Sequence, residues 1–347
     1  MTAARLSLQT VATAAFRLRE LGIAIALLVA IAIFAVQAES FMTVGNWRNI
    51  SVSVAVVLAV AVGQTMVVLT RNIDLSVGSI VGLSAFISAD TLSTHHGLPI
   101  AGVAAIAVAV GIACGLFNGL LVTVGRVPAI IATLGTLYIF RGLVHEVSGG
   151  TQVLAFELPA SFKAFALREA LGIPVLAVIA IAVAVLGAAM LRWTHWGRDF
   201  YAIGSNPEAA RLAGIPVARR VLLAFTISGG LAGLGGFMFA ARFAGVSASS
   251  GSGFEFDVIS AVVIGGVNVF GGVGTVLGAA LGALLIAVIE NGFTLLKINE
   301  FWKTAFQGFA IVTAVTVDAL VTRRIQEALR QRRRREARDA ARAEASA

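Results

Sequence analysis

The sequence contains a single cysteine, Cys114, among 347 residues. That excludes an internal disulfide, a Cys-rich zinc site and an iron–sulfur cluster. Charge is scarce as well: 13% of residues are Asp, Glu, Lys or Arg, where a soluble domain carries about 25%. Proline occurs 6 times against 37 glycines, and the glycines interrupt apolar runs rather than forming linkers. No Gly-Lys pair exists, so no phosphate-cradling P-loop is possible. The Gly272-Val273-Gly274 cluster follows no strand and opens no dinucleotide-binding unit. The four histidines, His95, His96, His145 and His195, lack HExxH spacing, and no serine sits in a GxSxG elbow. The residues therefore point to no catalytic site, no cofactor site and no metal site.

What fills the chain is apolar sequence. Hydrophobic residues make up 58% and the mean hydropathy is +0.93, which is incompatible with a soluble fold of this length. A membrane span needs about 20 mostly apolar residues. Such runs lie near 21–38, 50–70, 76–93, 98–124, 127–144, 171–191, 221–243, 257–271, 273–292 and 303–321. The runs are continuous rather than alternating, so a β-barrel is excluded. The expected fold is an all-α polytopic membrane protein of about ten transmembrane helices. The first run follows several Arg and ends in Val36-Gln37-Ala38 like a cleavage site, yet its length favours an uncleaved span.

The net charge of +8 is concentrated at the C-terminus, where 322–347 holds nine Arg and four acids. No aromatic residue interleaves those Arg, so a basic tail beside anionic lipid is favoured and nucleic acid is not. The N-terminus carries Arg5, Arg17 and Arg19, and the stretch after the sixth run carries Arg192, Arg198, Arg211, Arg219 and Arg220. By the positive-inside rule these segments and the tail are cytoplasmic, a parity that ten spans satisfy. Residues 1–20 then form a cytoplasmic N-terminal segment, 21–321 the transmembrane domain and 322–347 a cytoplasmic tail. The wetter stretch from Glu146 to Glu169 falls outside.

Ten spans divide into two halves of five, and an odd number per half forces the halves to be inverted. Asp74 precedes Gly82 by eight residues, as Asp257 precedes Gly265; Asn118-Gly119 ends the fourth run and Asn291-Gly292 the ninth. On this topology Asp74 and Asn118 lie toward the cytoplasm and Asp257 and Asn291 toward the outside, as inverted repeats require. Polar groups at membrane depth are costly and mark candidate sites. Asp90, Arg141, Glu290 and Asp318 read as boundary anchors. Asp74, Ser76, Asn118, Asp257 and Asn291 are flanked by small residues and read as pathway groups or helix caps. Within 194–220, Gly204-Ser205-Asn206-Pro207 signals a turn, and Ser205 or Asn206 can cap a helix opened by Pro207. Glu208, Ala209, Ala210 and Leu212 continue it and Gly214 ends it, giving about two turns with a small Ala face.

These residues carry a family resemblance. Arg71-Asn72-Ile73-Asp74-Leu75-Ser76-Val77-Gly78-Ser79 resembles the GGIDLSVGS signature of sugar-importing ABC permeases of the ribose/xylose/rhamnose class. Gly115 to Thr123 and Val127 to Thr136 are similar to that family's fourth and fifth spans, Gly197 to Ile215 to its ATPase-contact loop, and Asp257 to Gly266 continues the match. The likeness covers about 20–321. It departs at Arg71-Asn72, where the family opens with Gly-Gly. The related branched-chain amino-acid permeases carry an INLAHG-like sequence where this chain has Ile73-Asp74-Leu75-Ser76.

The resemblance implies a permease subunit in the bacterial inner membrane, present as two copies or two paralogues. It also implies separate cytosolic ABC ATPase subunits and a periplasmic sugar-binding protein. The cargo it implies is a ribose-, xylose- or rhamnose-type monosaccharide; the alternative is another small solute such as an autoinducer, nucleoside or amino acid. The 194–220 stretch becomes the coupling loop, with Gly204, Asn206, Glu208, Ala209, Ala210 and Gly214 at its core.

Overall fold

The computed structural model describes residues 2–299, 301–313 and 315–316, with side chains from Glu20 onward. Its long helices are α1 Thr2–Gln37, α2 Val44–Leu69, α3 Val77–Thr94, α4 Ile100–Thr123 and α5 Ala129–Ser148. A short α6, Ala160–Leu167, and a two-stranded hairpin follow, β1 Glu169–Ala170 against β2 Ile173–Pro174. Next come α7 Val175–Trp193, α8 His195–Ser205, α9 Pro207–Leu212, α10 Val217–Phe243, α11 Phe254–Ile264 and α12 Val276–Leu295, with helix again over 301–313.

Among the described residues, eight helices are long and apolar enough to cross a membrane, where the sequence predicts ten spans. Two predicted spans make up the difference, the eighth, 257–271, and the tenth, 303–321. The eighth falls short in the backbone. It is helical only through the 11-residue α11 and stops at Gly265, because Gly266, Gly271, Gly272 and Gly274 all take positive φ that breaks helical geometry. The tenth predicted span is helical where described; 317–321, Asp318 and the Arg-rich 322–347 lie outside the described residues.

Burial ranks the helices. The α2 window is 78% buried, against 28% for α4, α5 and α7. Thus α2, α3 and α10 form the centre, while side chains such as Leu120, Ile131, Leu134, Ile139 and Val185 point outward from the rim. Apolar side chains exposed on long helices suit contact with lipid. All four tryptophans mark helix ends: Trp193 and Trp196 where α7 meets α8, Trp47 and Trp302 at the starts of α2 and of the last described helix. That is the banding expected at two membrane–water interfaces.

Bilayer helices cannot rely on the hydrophobic effect to associate, and small residues allow their backbones close approach. The α4–α10 seam uses this device. Gly111 and Gly115 of α4 face Gly229 and Gly233 of α10, and a methyl at any of the four would collide with the facing backbone. Ala261 and Gly265 meet Gly278 and Gly282 in the same way where α11 packs on α12.

Candidate functional site

The pathway candidates separate into two groups along α10. Near its start, Gly115 and Gly119 of α4 pack on Phe225 and Leu222 and bring Asn118 to the α2–α3 turn. There Asp74, Ser76 and Asn118 form one cluster with no solvent exposure. The Asp74 Oδ1 accepts the Ser76 backbone N–H at 2.9 Å and its hydroxyl at 2.7 Å. Asn118 Nδ2 donates to the Ser76 hydroxyl at 2.7 Å and lies 3.4 Å from both Asp74 oxygens. Ser76 occupies the N-cap position of α3 without capping it; its hydroxyl serves the carboxylate instead. Asn118 Oδ1 has no hydrogen-bond partner among the described residues. The arrangement is a sealed joint between α3 and α4.

Asp257 and Asn291 stand at the far end. That end of α10 holds Arg242 and Phe243, and the 250–255 segment leading to Asp257 packs on Gly78 and Gly82 of α3, so the two groups are neighbours along the bundle and not at its opposite extremes. Both line a cavity of about 610 Å³ between the starts of α2 and of the last described helix and the ends of α10 and α12. Gln307 Nε2 donates to Asp257 Oδ1 at 2.5 Å. Asn291 exchanges two amide hydrogen bonds with Asn46, at 2.8 and 2.9 Å, and Asn46 also donates to the Phe41 carbonyl. Glu290 belongs to the same cavity wall.

The 194–220 stretch folds into α8 and α9. Thr194 caps α8 by accepting the Gly197 N–H. Asn206 caps α9 by accepting the N–H groups of Glu208 and Ala209, both at 3.1 Å, with Pro207 at the first position and Gly214 ending the turn at φ +81°. The helix, its cap and its stop match the sequence expectation. Its docking face does not: Ala210 is buried within the chain at 4% exposure, while Leu212 is 91% exposed and Ala209 is exposed. Since Pro207–Leu212 curls back onto the bundle, Ala209 and Leu212 form the outward surface. Glu208 pairs with Arg211, at 3.0 Å on the exposed surface.

Two residues outside the predicted set hold this unit. Arg71 takes φ +66° and donates from Nε to the Gly204 carbonyl at 2.6 Å and from Nη2 to the Ser205 carbonyl at 2.9 Å. Gly204 meets the Leu69 carbonyl and the Gly272 backbone, and the Gly272 N–H donates to Leu69 O at 3.0 Å. Tyr201 donates its hydroxyl to Gly274 O at 2.8 Å, and burial pushes its phenol up to about 12, so it remains a protonated donor. A half-buried Arg220–Asp199 pair at 2.6 Å ties α10 to α8. The end of α2, the glycine turn before α12 and α8–α9 therefore meet at one junction. Arg71 was visible in the sequence only as a departure from the family pattern. Arg242, which lines the cavity, carried no signal beyond its place at the end of an apolar run.

The chain matches the family described as branched-chain amino acid transport system / permease component over residues 46–315. It is similar to the autoinducer 2 import system permease protein LsrC of Enterobacter sp. (strain 638), 37% identical over 316 residues, 91% of this chain and 90% of the relative. The protein of the same name from Salmonella typhimurium (strain LT2) is 35% identical over 295 residues, covering 85% and 84%. That from Yersinia enterocolitica serotype O:8 is 35% identical over 309 residues, covering 89% and 85%. No solved structure matches the chain significantly.

Proposed function

From the premise that the chain belongs to the branched-chain amino acid transport system / permease component family, we propose that it is the membrane-spanning subunit of an ATP-driven importer of a small sugar-like solute. The observation that carries this reading is the α8–α9 unit, a capped helix pair outside the long spans, bolted through Arg71 to the turn that leads into the Asp74 cluster. A protein without a nucleotide motif needs such a rigid handle if an outside ATPase is to bias one state over another. Cytosolic ABC ATPase subunits are the partners we assign to that handle, and a periplasmic binding protein to the opposite face. A second copy or a paralogue completes the pore.

The domain division in this reading is 1–20 cytoplasmic, 21–321 transmembrane and 322–347 cytoplasmic, with two inverted five-helix halves in the bacterial inner membrane and lipid around the rim. The Arg clusters and the paired tryptophan bands support it. We assign the pathway to the cavity walled by Asp257 and Asn291, with Asp74, Ser76 and Asn118 bracing the helices beside it. For the cargo, the relatives' names favour autoinducer 2 over a metabolic monosaccharide.

The test is reconstitution with the partner ATPase and binding protein in proteoliposomes, measuring ATP-dependent uptake of ribose, xylose, rhamnose and autoinducer 2. Uptake of any of them without ATP would overturn the importer reading. Orientation is checked with Cys114→Ala/Ser205→Cys in intact cells, where an impermeant thiol reagent leaves the introduced thiol unmodified. Labelling from outside would invert the topology.

A further inference from the structure

We infer that α6 and the hairpin after it form an interfacial anchor, with Leu167, Leu171 and Ile173 resting in phospholipid of the surrounding bilayer. The inference goes beyond the importer reading and stands whichever solute the chain carries. From the sequence, 146–169 reads as a wet stretch outside the membrane, where a soluble partner is the natural company. The fold puts its second half, and the hairpin it leads into, somewhere else.

Depth comes first. Phe162 and Phe165 of α6 pack on Phe237 of α10, with ring centres 5.7 and 5.9 Å apart. Phe237 lies about 9 Å short of Phe243, the last residue of α10, along the helix axis. Arg48, the residue after the interfacial Trp47 at the start of α2, donates to the Leu167 carbonyl at 2.8 Å and pairs with Glu169 at 3.0 Å. The unit therefore lies against the flanks of α2 and α10, level with an interface tryptophan, and not above the helix ends.

The side chains turned outward are the wrong ones for water. Phe162 is buried, while Ala160, Ala164 and Leu167 on the other side of α6 are exposed; a helix facing solvent turns polar groups that way. The hairpin turn is Leu171-Gly172, at φ +56° and +77°. Turns of this hand favour Asn or Asp at the first position, and a leucine there is strained. Leu171 is nevertheless fully exposed, and Leu167 and Ile173 are exposed on the chain to either side. A strained, exposed apolar tip marks a site of contact. Lipid fits it best, because the surface is continuous with the rim. No charge occurs from Ala170 to Leu191, and α7 carries Val178, Ile181, Val185 and Leu186 outward. That face offers no glycine stripe to a second copy, since the one glycine of α7, Gly187, turns inward onto Val62. Lys163 and Arg168 precede the tip, and such long cations lay their stems on acyl chains while their heads reach the phosphates.

The test uses the full chain in vesicles of phosphatidylethanolamine and phosphatidylglycerol, as Cys114→Ala/Leu167→Cys carrying a nitrobenzoxadiazole label. Quenching is read with a phosphatidylcholine bearing a doxyl group near the top of its acyl chain, and separately with iodide on both sides of the membrane. The expected result is stronger quenching by the doxyl lipid than by iodide. Adding Leu171→Asn relaxes the turn, so a hairpin held in water is unharmed by it; an anchor loses its immersed side chain, and doxyl quenching falls about twofold or more. Iodide quenching that exceeds doxyl quenching puts the hairpin in water and overturns the assignment. Weak quenching by both overturns it as well, because a second copy or another protein then covers the site. Doxyl quenching unchanged by Leu171→Asn removes Leu171 from the anchor.

Discussion

The two ends of α10 hold similar sequence and opposite structure. At one end an Asp, a Ser and an Asn close on each other with no solvent exposure. At the other, Asp257 and Asn291 occupy the wall of an open cavity, each already satisfied by a neighbour, Gln307 or Asn46. The difference comes from how the backbone passes each site. The α2–α3 turn folds under α4 and seals its carboxylate, whereas α11 starts at Phe254 after a glycine turn and leaves Asp257 in its first turn beside the cavity. An acid and an amide flanked by small residues therefore signify a joint or a surface according to whether another helix packs over them.

The comparison breaks first at Asn118. Asn118→Leu removes the Nδ2–H donated to Ser76 and toward Asp74, leaving a buried carboxylate with one residue for partner. The cost is about 3 kcal/mol, so membrane abundance and thermal stability fall together with uptake. Normal abundance with lost uptake would show that the cluster is a pathway group rather than a joint. Next in size is Arg71→Ala. Losing two charge-assisted bonds to the coupling unit removes about 1.4 kcal/mol or more from transmission, a tenfold fall in binding-protein-stimulated ATP hydrolysis at unchanged insertion. Stimulation equal to the parent would remove Arg71 from the coupling route.

Asn291→Leu sharpens the contrast. Asn46 keeps its bond to the Phe41 carbonyl, so stability drops by about 1 kcal/mol, and uptake falls further than abundance does. A loss of abundance as large as in Asn118→Leu would mean that the two ends are equally sealed. The smallest effect belongs to Glu208→Ala. Its exposed pair with Arg211 contributes no more than about 0.5 kcal/mol, so melting is unchanged. Ala209→Arg on the same helix, by contrast, blocks co-purification of the ATPase. Retention of the ATPase by Ala209→Arg would shift the docking surface elsewhere.

Much of this was legible in the sequence. Long apolar runs locate most of the long helices within a few residues, because hydrocarbon demands continuous hydrophobicity and satisfied backbone. The α9 cap and stop were legible because Asn206, Pro207 and Gly214 act locally. The break after Gly265 was hidden: Val267 to Val276 is apolar enough to read as span, and only backbone geometry shows four glycines at positive φ. The burial of Ala210 was hidden too, since which side of so short a helix turns inward depends on how α8 and α10 pack beside it. Arg71 was misleading in a productive way. A long cation where the family signature has glycine suggested no role until the fold placed Gly204 and Ser205 within its reach.

The glycine seam between α4 and α10 also bears on the order of synthesis. During translation α4 is complete while α5 through α9 are still to be made, so its Gly111–Gly115 face enters the bilayer long before Gly229 and Gly233 exist. Until then that stripe of near-naked backbone faces lipid or a temporary neighbour. Final assembly of the bundle is therefore a late, post-insertion event that waits on α10, and a chain interrupted before Phe243 would leave α4 inserted but unpartnered, a ready substrate for membrane quality control.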